Sequence, residues 1–176
     1  TPPRPAGQSD VLKLRCEPIS TVRVGFIGIG SRGLAAVHRF LSIPGVEIKA
    51  LCDLESENLD KARALLVHAK FPAAQEYSSK NGYKEICERQ DIDLIYICTD
   101  WLNHTPIAVY AMEHGKHTAI EVPAAVTLEQ CWELVNTAEK TRRHCMMLEN
   151  CCYDRFEMAT LNMAQKGLFG EIVHVE

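Results

Sequence analysis

VRVGFIGIGSRG, at residues 22–33, is a short apolar run that breaks into a G-x-G-x-x-G turn. The following residues, 34–41, carry a helical pattern, so the context is strand, tight turn and helix. Gly28 permits the turn, Gly30 presents no side chain to a ligand, and Gly33 lets the helix pack close to the strand. The stretch predicts the opening strand and helix of an α/β sheet.

The same turn predicts a dinucleotide site. The helix start, at Ser31 and Arg32, offers free N–H groups and a partial positive charge to phosphates. A second apolar run, VEIKALCD, ends in Asp53, about 20 residues beyond the last glycine, as this fingerprint requires. An acid there accepts hydrogen bonds from a ribose diol and repels a 2′-phosphate, which favours NAD over NADP. The alternative interpretation is that Asp53 caps the next helix.

Further along the chain, helical and strand patterns alternate. Helices are predicted at 56–70, 83–89, from Thr105-Pro106 to about 115, from the Thr127 cap to about 143, and at 156–166. Strands are predicted at 93–99, 117–121, 145–149 and 170–175. This alternation, with right-handed crossovers, predicts a doubly wound parallel sheet, a Rossmann fold.

Three regions are predicted from the same pattern. Residues 1–20 form a polar, Pro-rich leader, residues 21–150 the dinucleotide-binding domain, and residues 151–176 the start of a second, α+β domain. The leader has neither an initiator Met nor a hydrophobic signal core, so it fits either a mature chain after signal removal or an artificial start.

Composition excludes several classes of function. The 176 residues carry a net charge of −4 with scattered basic residues, so no nucleic-acid partner is expected. No apolar run is long enough to span a bilayer. The eight cysteines show no C-x-x-C pair and no zinc-finger spacing, so they are expected to be reduced thiols without a metal. Reduced thiols fit the cytoplasm but do not exclude export.

Polar residues follow each predicted strand, and the carboxyl ends of parallel strands meet at one edge, where α/β sheets bind ligands. The segments concerned are Thr99-Asp100-Trp101-Leu102-Asn103-His104, Glu121-Val122-Pro123 and Glu149-Asn150-Cys151-Cys152-Tyr153-Asp154-Arg155. These segments resemble the N-terminal domain of the Gfo/Idh/MocA oxidoreductases, which carry a T-P-x-x-x-H segment and then an E-K-P segment. The resemblance extends from about Arg23 to the end of the chain.

Two positions depart from that family pattern. Asp100 replaces the usual Pro, and Val122 replaces a Lys that commonly assists proton transfer from a sugar hydroxyl. These departures occur beside the G-S-R-G turn, the Trp at 101 and the E-N-x-x-Y-x-R segment. In these features the chain is most similar to glycoside hydrolase family 109, the NAD-dependent α-N-acetylgalactosaminidases. That subgroup transiently oxidises C3 of the sugar, eliminates across C1 and C2, adds water and re-reduces the product.

The resemblance implies roles for particular residues. Tyr153, Glu121 and His104 are the catalytic candidates, with Tyr153 as acid/base, Glu121 beside the nicotinamide and His104 near the ribose or sugar. Thr99, Trp101 and Asn150 join His104 and Glu121 as cofactor contacts, in addition to the glycine turn and Asp53. The alternatives are structural: packing of Tyr153 at a helix start, a solvated strand end at Glu121, and a histidine without chemistry at position 104.

The resemblance also implies partners. They are an N-acetylated galactoside as carbohydrate substrate, the chain's own C-terminal domain, and a second copy in a homo-oligomer. Relatives of this subgroup often carry export signals, so a periplasmic location stands beside the cytoplasmic one. An NAD-dependent sugar dehydrogenase and a non-catalytic NAD-binding module remain as alternative functions, because Val122 cannot transfer a proton.

Overall fold

The structure is a computed structural model that describes residues 4–174. Its six strands are β1 (Val22–Ile27), β2 (Val46–Cys52), β3 (Gln75–Tyr77), β4 (Leu94–Ile97), β5 (His117–Glu121) and β6 (Cys145–Leu148). Its six helices are α1 (Ser31–Phe40), α2 (Ser56–His68), α3 (Gly82–Glu88), α4 (Trp101–Glu113), α5 (Leu128–Thr141) and α6 (Arg155–Gln165). The strands form one sheet in the order β3-β2-β1-β4-β5-β6, and all neighbouring pairs are parallel. The predicted doubly wound fold is confirmed.

Helices cover both faces of the sheet. Alternate residues of the central strands point to opposite faces, so side chains of both sets are buried. On one face, Ile95 and Ile97 of β4 pack in a cluster with residues of α3, α4 and α5. On the other face, Phe26 of β1 and Tyr96 of β4 pack in a cluster with residues of α1 and α2. The two clusters explain why these strands read as continuous apolar runs.

The predicted start of α4 is wrong. This helix begins at Trp101 and not at Thr105-Pro106, so Pro106 lies inside it. Asp100 is the N-cap, and its carboxylate accepts hydrogen bonds from the Leu102 N–H at 3.1 Å and from the Asn103 side chain at 2.6 Å. This cap starts the helix one turn earlier, and Pro106 costs one backbone hydrogen bond close to that end.

The structure also differs from the prediction at the start of α1, at an edge strand and near the end of the chain. Helix α1 begins at Ser31, within the glycine turn itself, rather than at Leu34. The short edge strand β3 was not predicted, because its three residues are polar or half-exposed and show no periodicity. The predicted strand at 170–175 is absent from residues 170–174, and Val175 lies outside the described residues.

The segment before β1 contacts α5. Arg4 forms a bidentate ion pair with the buried Glu139, with N···O distances of 2.9 and 3.0 Å. Arg142, at the end of α5, donates to the Ser9 and Asp10 carbonyl oxygens. Within residues 4–174, no helix is long and apolar enough to cross a membrane.

Candidate cofactor site

Two adjoining cavities open at the carboxyl edge of the sheet, where β1 and β4 lie side by side. Their volumes are about 400 and 690 Å³. Gly30, Cys98 and Thr99 line both cavities, so an elongated ligand can occupy the two together. The connections after β1 and β4 lead to helices on opposite faces, and such a switch point is where open α/β sheets bind ligands.

The three glycines of the turn have different surroundings. Gly28 has φ +87°, and a Cβ atom there would lie 2.3 Å from the Cys98 carbonyl oxygen. A Cβ atom at Gly33 would lie 2.1 Å from the Gly28 carbonyl oxygen. A Cβ atom at Gly30 has no described atom within 4 Å and would instead project into ligand space. The backbone of the turn therefore lies open to a ligand at Gly30.

The amino end of α1 supplies hydrogen-bond donors. Gly30 is the N-cap residue, and no described side chain caps this end. The first turn carries no acidic residue, and Ser31, Arg32 and Gly33 line the smaller cavity. The N–H groups of a helix start have no partner within the helix, so this end suits a phosphate.

Asp53 ties the end of β2 to the glycine turn. One carboxylate oxygen accepts the Ile29 N–H at 2.6 Å. The other accepts the Glu55 N–H at 2.9 Å and the Asn58 side chain at 3.2 Å. The N-cap of α2 is Glu55 rather than Asp53, and Asp53 lines the larger cavity. The residue thus stabilises the turn and also presents a carboxylate to the ligand space.

Glu121, at the end of β5, is the centre of a polar network beside the smaller cavity. Its side chain is buried and accepts the Tyr96 hydroxyl at 2.5 Å. Its second oxygen lies 3.1 Å from the Arg32 guanidinium, which also donates to the Asn150 side chain at 2.6 Å. Three predicted site residues, Arg32, Glu121 and Asn150, are therefore brought together. Glu121 is not a solvated strand end.

Burial and contact with Glu121 fix the charge states of the groups around it. Burial, followed by the hydrogen bond to Glu121, raises the pKa of Tyr96 well above its usual value. The hydrogen bond and charge of Glu121 raise the pKa of Arg32. Burial also raises the pKa of the Cys98 thiol, to about 11. Arg32 therefore stays cationic in the cleft, whereas Tyr96 and Cys98 stay neutral.

His104 connects two loops at the edge of the sheet. The ring is 1% exposed, its Nδ1 lies 2.8 Å from the Pro123 carbonyl oxygen, and its Nε2 lies 3.1 Å from the Thr99 carbonyl oxygen. The next residue, Thr105, donates to the Ala124 carbonyl oxygen. His104 borders the smaller cavity, but both ring nitrogens contact main chain, so the geometry fits a structural contribution.

Trp101 and Tyr153 are both exposed but differ in position. Trp101, 63% exposed, lines the smaller cavity together with Thr99 and Asn150, the other two residues predicted as cofactor contacts there. Tyr153, 72% exposed, lies in the turn before α6 and lines neither cavity. Among the described residues, the structure does not bring the predicted acid/base to the other site residues.

Sequence reasoning missed several residues of the site. Tyr96 lies inside a buried strand and gave no polar signal, although it is the hydrogen-bond partner of Glu121. Ser79 and Lys80 line the larger cavity because they follow β3. Recognition of β3 would have placed them, since residues after a parallel strand lie at this edge.

The residues present fit a dinucleotide. The larger cavity offers the Asp53 carboxylate for a ribose, Gly30 leaves room for a pyrophosphate, and the smaller cavity offers the Asn150 amide for a polar ring substituent. The two cavities meet at the amino end of α1. This arrangement matches the shape of a ligand with two rings and a central diphosphate.

Comparison with curated proteins finds relatives of high identity. The chain is 62% identical over 169 residues to an alpha-N-acetylgalactosaminidase from Bacteroides fragilis, covering 96% of the chain and 40% of that protein. It is 60% identical over 176 residues to glycosyl hydrolase family 109 protein 1 from Phocaeicola vulgatus, covering 99% of the chain and 37% of that protein. The chain thus spans about 40% of the length of these curated relatives.

Solved structures share the fold at low identity. Scyllo-inositol dehydrogenase from Lactobacillus casei, with bound cofactor NAD(H) and scyllo-inositol, superposes with a TM-score of 0.75 at 18% identity, covering 86% of this chain and 43% of that one. Myo-inositol 2-dehydrogenase from Lactobacillus plantarum gives a TM-score of 0.72 at 22% identity, covering 87% and 43%. These likenesses show the fold.

A family profile matches the greater part of the chain. Residues 22–149 match the family described as "Oxidoreductase family, NAD-binding Rossmann fold", GFO_IDH_MocA. The matched range begins at the first residue of β1 and ends just after β6, so it contains the whole sheet, the larger cavity and all of the smaller cavity except Asn150. The chain therefore belongs to the Gfo/Idh/MocA oxidoreductase family, whose Rossmann fold binds NAD.

Proposed function

We propose that the protein to which this chain belongs is an NAD-dependent glycosidase that acts on α-N-acetylgalactosaminides. The observation that carries the proposal is the 62% identity, over 96% of the chain, to the alpha-N-acetylgalactosaminidase from Bacteroides fragilis. The E-V-P segment supports it, because Val122 occupies the position at which dehydrogenases of this family commonly carry a proton-transferring Lys.

In this proposal the two halves of NAD bind in different cavities. In the larger one, Asp53 would accept hydrogen bonds from the adenosine ribose, and the amino end of α1 at Gly30 would hold the pyrophosphate. In the smaller one, Glu121, Asn150 and Trp101 would hold and orient the nicotinamide. When bound, NAD supplies a reversible hydride acceptor for the sugar. The protein contributes binding, orientation and exclusion of water.

The family's usual Lys position supplies no base in this chain. Val122 lines the smaller cavity and carries no titratable group. Tyr153 is the candidate for removing the C2 proton of the sugar, which a transient C3 ketone acidifies. This role requires residues 151–154 to approach the cavity, and Asn150, immediately before them, already lines it.

We place residues 151–176 with the second, substrate-binding domain. None of the residues of α6 is buried against the described part of the chain. Phe156 and Leu161 are 79% and 51% exposed, as expected for an apolar face that contacts further protein. The greater length of the curated relatives agrees with this placement.

The test is an NMR experiment on the full-length protein in D₂O, with NAD and p-nitrophenyl α-N-acetylgalactosaminide. Release of the sugar with deuterium at C2 and without net NADH is expected, because the C2 proton is exchanged and the hydride returns. Release without deuterium at C2 would contradict the oxidation–elimination route. Accumulation of NADH would indicate a sugar dehydrogenase, and NAD binding with no reaction would indicate a binding module.

Tyr153→Phe in the same experiment tests the base. We expect sugar release and C2 exchange to fall by about 10²-fold or more, since an acid/base residue contributes that much, whereas NAD affinity stays unchanged. Tyr110→Phe is the matched control, because Tyr110 donates its hydroxyl to Glu88 away from both cavities. Equal activity in the two variants would rule out Tyr153.

A further inference from the structure

Tyr96 is held rigidly within the sheet. Its ring lies 5.1 Å from the ring of Phe26 and 5.5 Å from that of Phe40, measured between centroids. The residue is 3% exposed, so its ring has no freedom to turn toward solvent. The hydroxyl is therefore a fixed donor at the edge of the smaller cavity.

The carboxylate that receives this hydroxyl is also buried. Glu121 is 6% exposed, and the cost of removing a carboxylate from water is offset only when its oxygens receive hydrogen bonds. Tyr96 occupies one oxygen and Arg32 the other. Two donors, one on each oxygen, restrain the carboxylate plane, whereas a single donor leaves it free to rotate.

Arg32 transmits this position to a third element. Its side chain is about half exposed and spans from Glu121 on β5 to Asn150 after β6. A long, half-exposed guanidinium has many rotamers, so its geometry depends on the fixed carboxylate. Arg32, Glu121 and Asn150 all line the smaller cavity, and none of them lines the larger one.

We propose that Tyr96 is a positioning residue for the nicotinamide half of the site. Its hydroxyl orients Glu121, and Glu121 in turn orients Arg32 and Asn150. The inference rests on the proposed placement of NAD across both cavities. It assigns a function to a residue that does not itself contact the ligand, and it predicts that the adenosine half of the site is independent of Tyr96.

The test compares NAD⁺ with ADP-ribose, which lacks the nicotinamide ring. Affinities of the protein for both are measured by calorimetry. In Tyr96→Phe, NAD⁺ is expected to bind about tenfold more weakly, in line with loss of a hydrogen bond to a charged group. ADP-ribose is expected to bind within about twofold of the wild-type affinity. Tyr110→Phe, which removes a similar 2.5 Å hydroxyl–carboxylate bond from the surface, is expected to change neither affinity.

A double-mutant cycle tests whether Tyr96 acts through Glu121. Adding Tyr96→Phe to Glu121→Ala is expected to change NAD⁺ affinity by less than about twofold. An additive tenfold loss in the double variant would overturn the proposal, as would an equal loss for NAD⁺ and ADP-ribose in Tyr96→Phe. If the wild-type protein bound ADP-ribose but not NAD⁺, the positioning proposal would fail alone. If it bound neither, the proposed cofactor site would fail with it.

Discussion

Two glycines of the turn after β1 differ in what a side chain would meet. Gly33 faces the Gly28 carbonyl oxygen, whereas Gly30 faces the ligand space. Gly30 also has φ −62°, which any residue adopts. A methyl group at one position therefore perturbs the fold, and at the other it perturbs the ligand.

Gly33→Ala is expected to lower the free energy of unfolding by about 3 kcal/mol, because its Cβ would overlap backbone. Gly30→Ala is expected to leave that free energy unchanged within about 1 kcal/mol and to weaken NAD binding at least tenfold. Urea unfolding and calorimetry check the two effects. Equal stability losses in both variants would contradict the assignment of Gly30 to the ligand.

The contribution of the Asp93 carboxylate to the stability of the protein depends on pH. It accepts from the Arg23 backbone N–H at 2.9 Å and from the guanidinium at 2.8 and 2.6 Å. The hydrogen bonds from Arg23 lower the pKa of Asp93 below its ordinary value of 3.8. Its contribution to stability is therefore fully present above pH 3.8 and is lost as the pH falls through the lowered pKa.

Asp93→Asn is expected to destabilise the protein at pH 7, and the difference from wild type is expected to shrink as the pH falls below 3.8. Urea unfolding curves at a series of pH values measure this difference. Asp60→Asn, which affects an exposed pair with Arg63, serves as control and is expected to have little effect at pH 7. A difference for Asp93→Asn that stayed constant with pH would contradict the prediction.

At the scale of an element, the start of helix α4 is set by its N-cap, Asp100, although Pro106 lies inside the helix. Asp100 satisfies the Leu102 N–H and the Asn103 side chain, so the helix starts directly after β4 and its turn. The hydrogen bond from Asn103 is the largest cause of a lowered pKa at Asp100. The cap places Trp101 and His104 at the smaller cavity, so it also shapes the site.

Asp100→Ala is expected to lower the free energy of unfolding by about 1 kcal/mol, the usual cost of losing an N-cap acceptor. Asp100→Asn is expected to retain most of that stability, because Asn caps nearly as well. Thermal unfolding of both variants distinguishes the loss of the cap from the loss of charge. Equal destabilisation by the two substitutions would indicate that charge matters more than capping.

At the scale of the whole molecule, the two ends of the chain differ in how they contact the sheet domain. The segment before β1 is tied to α5 by the ion pair of Arg4 with Glu139, whose side chain is 4% exposed. Helix α6 buries none of its residues against the described chain. We therefore expect the stability of the sheet domain to depend on the Arg4–Glu139 ion pair and to change little without α6.

Deletion of residues 155–176 is expected to change the Tm by less than about 2 °C, because it removes little buried contact. NAD affinity is expected to stay the same, since Asn150 and both cavities remain. Arg4→Ala is expected to lower the Tm, because it leaves the buried Glu139 without its partner. Calorimetric scans check both; a large loss of Tm on deletion of α6 would contradict this view.

Much of the fold was predictable, because the signals were local. The glycine turn, the apolar runs and their alternation with helices predicted five of the six strands and their parallel direction, but not the order of the strands in the sheet. The exception, β3, is a short edge strand whose residues need no apolar pattern. The start of α4 was misplaced because Thr105-Pro106 was read as the first turn, whereas the Asp100 carboxylate caps the helix one turn earlier.

The sequence by itself determined the doubly wound class, the phosphate-binding turn and the acidic end of β2, since each depends on residues close together in the chain. Only the tertiary structure decided that Tyr96 meets Glu121. That contact depends on β4 lying beside β5. In the register of this pair Tyr96 is opposite Ala119, and Glu121 lies two residues further along β5. Tertiary structure likewise turned His104 to main-chain carbonyls and left Tyr153 outside the cavities. The physical reason is that side-chain partners across a sheet are set by strand order and register, which long-range packing selects.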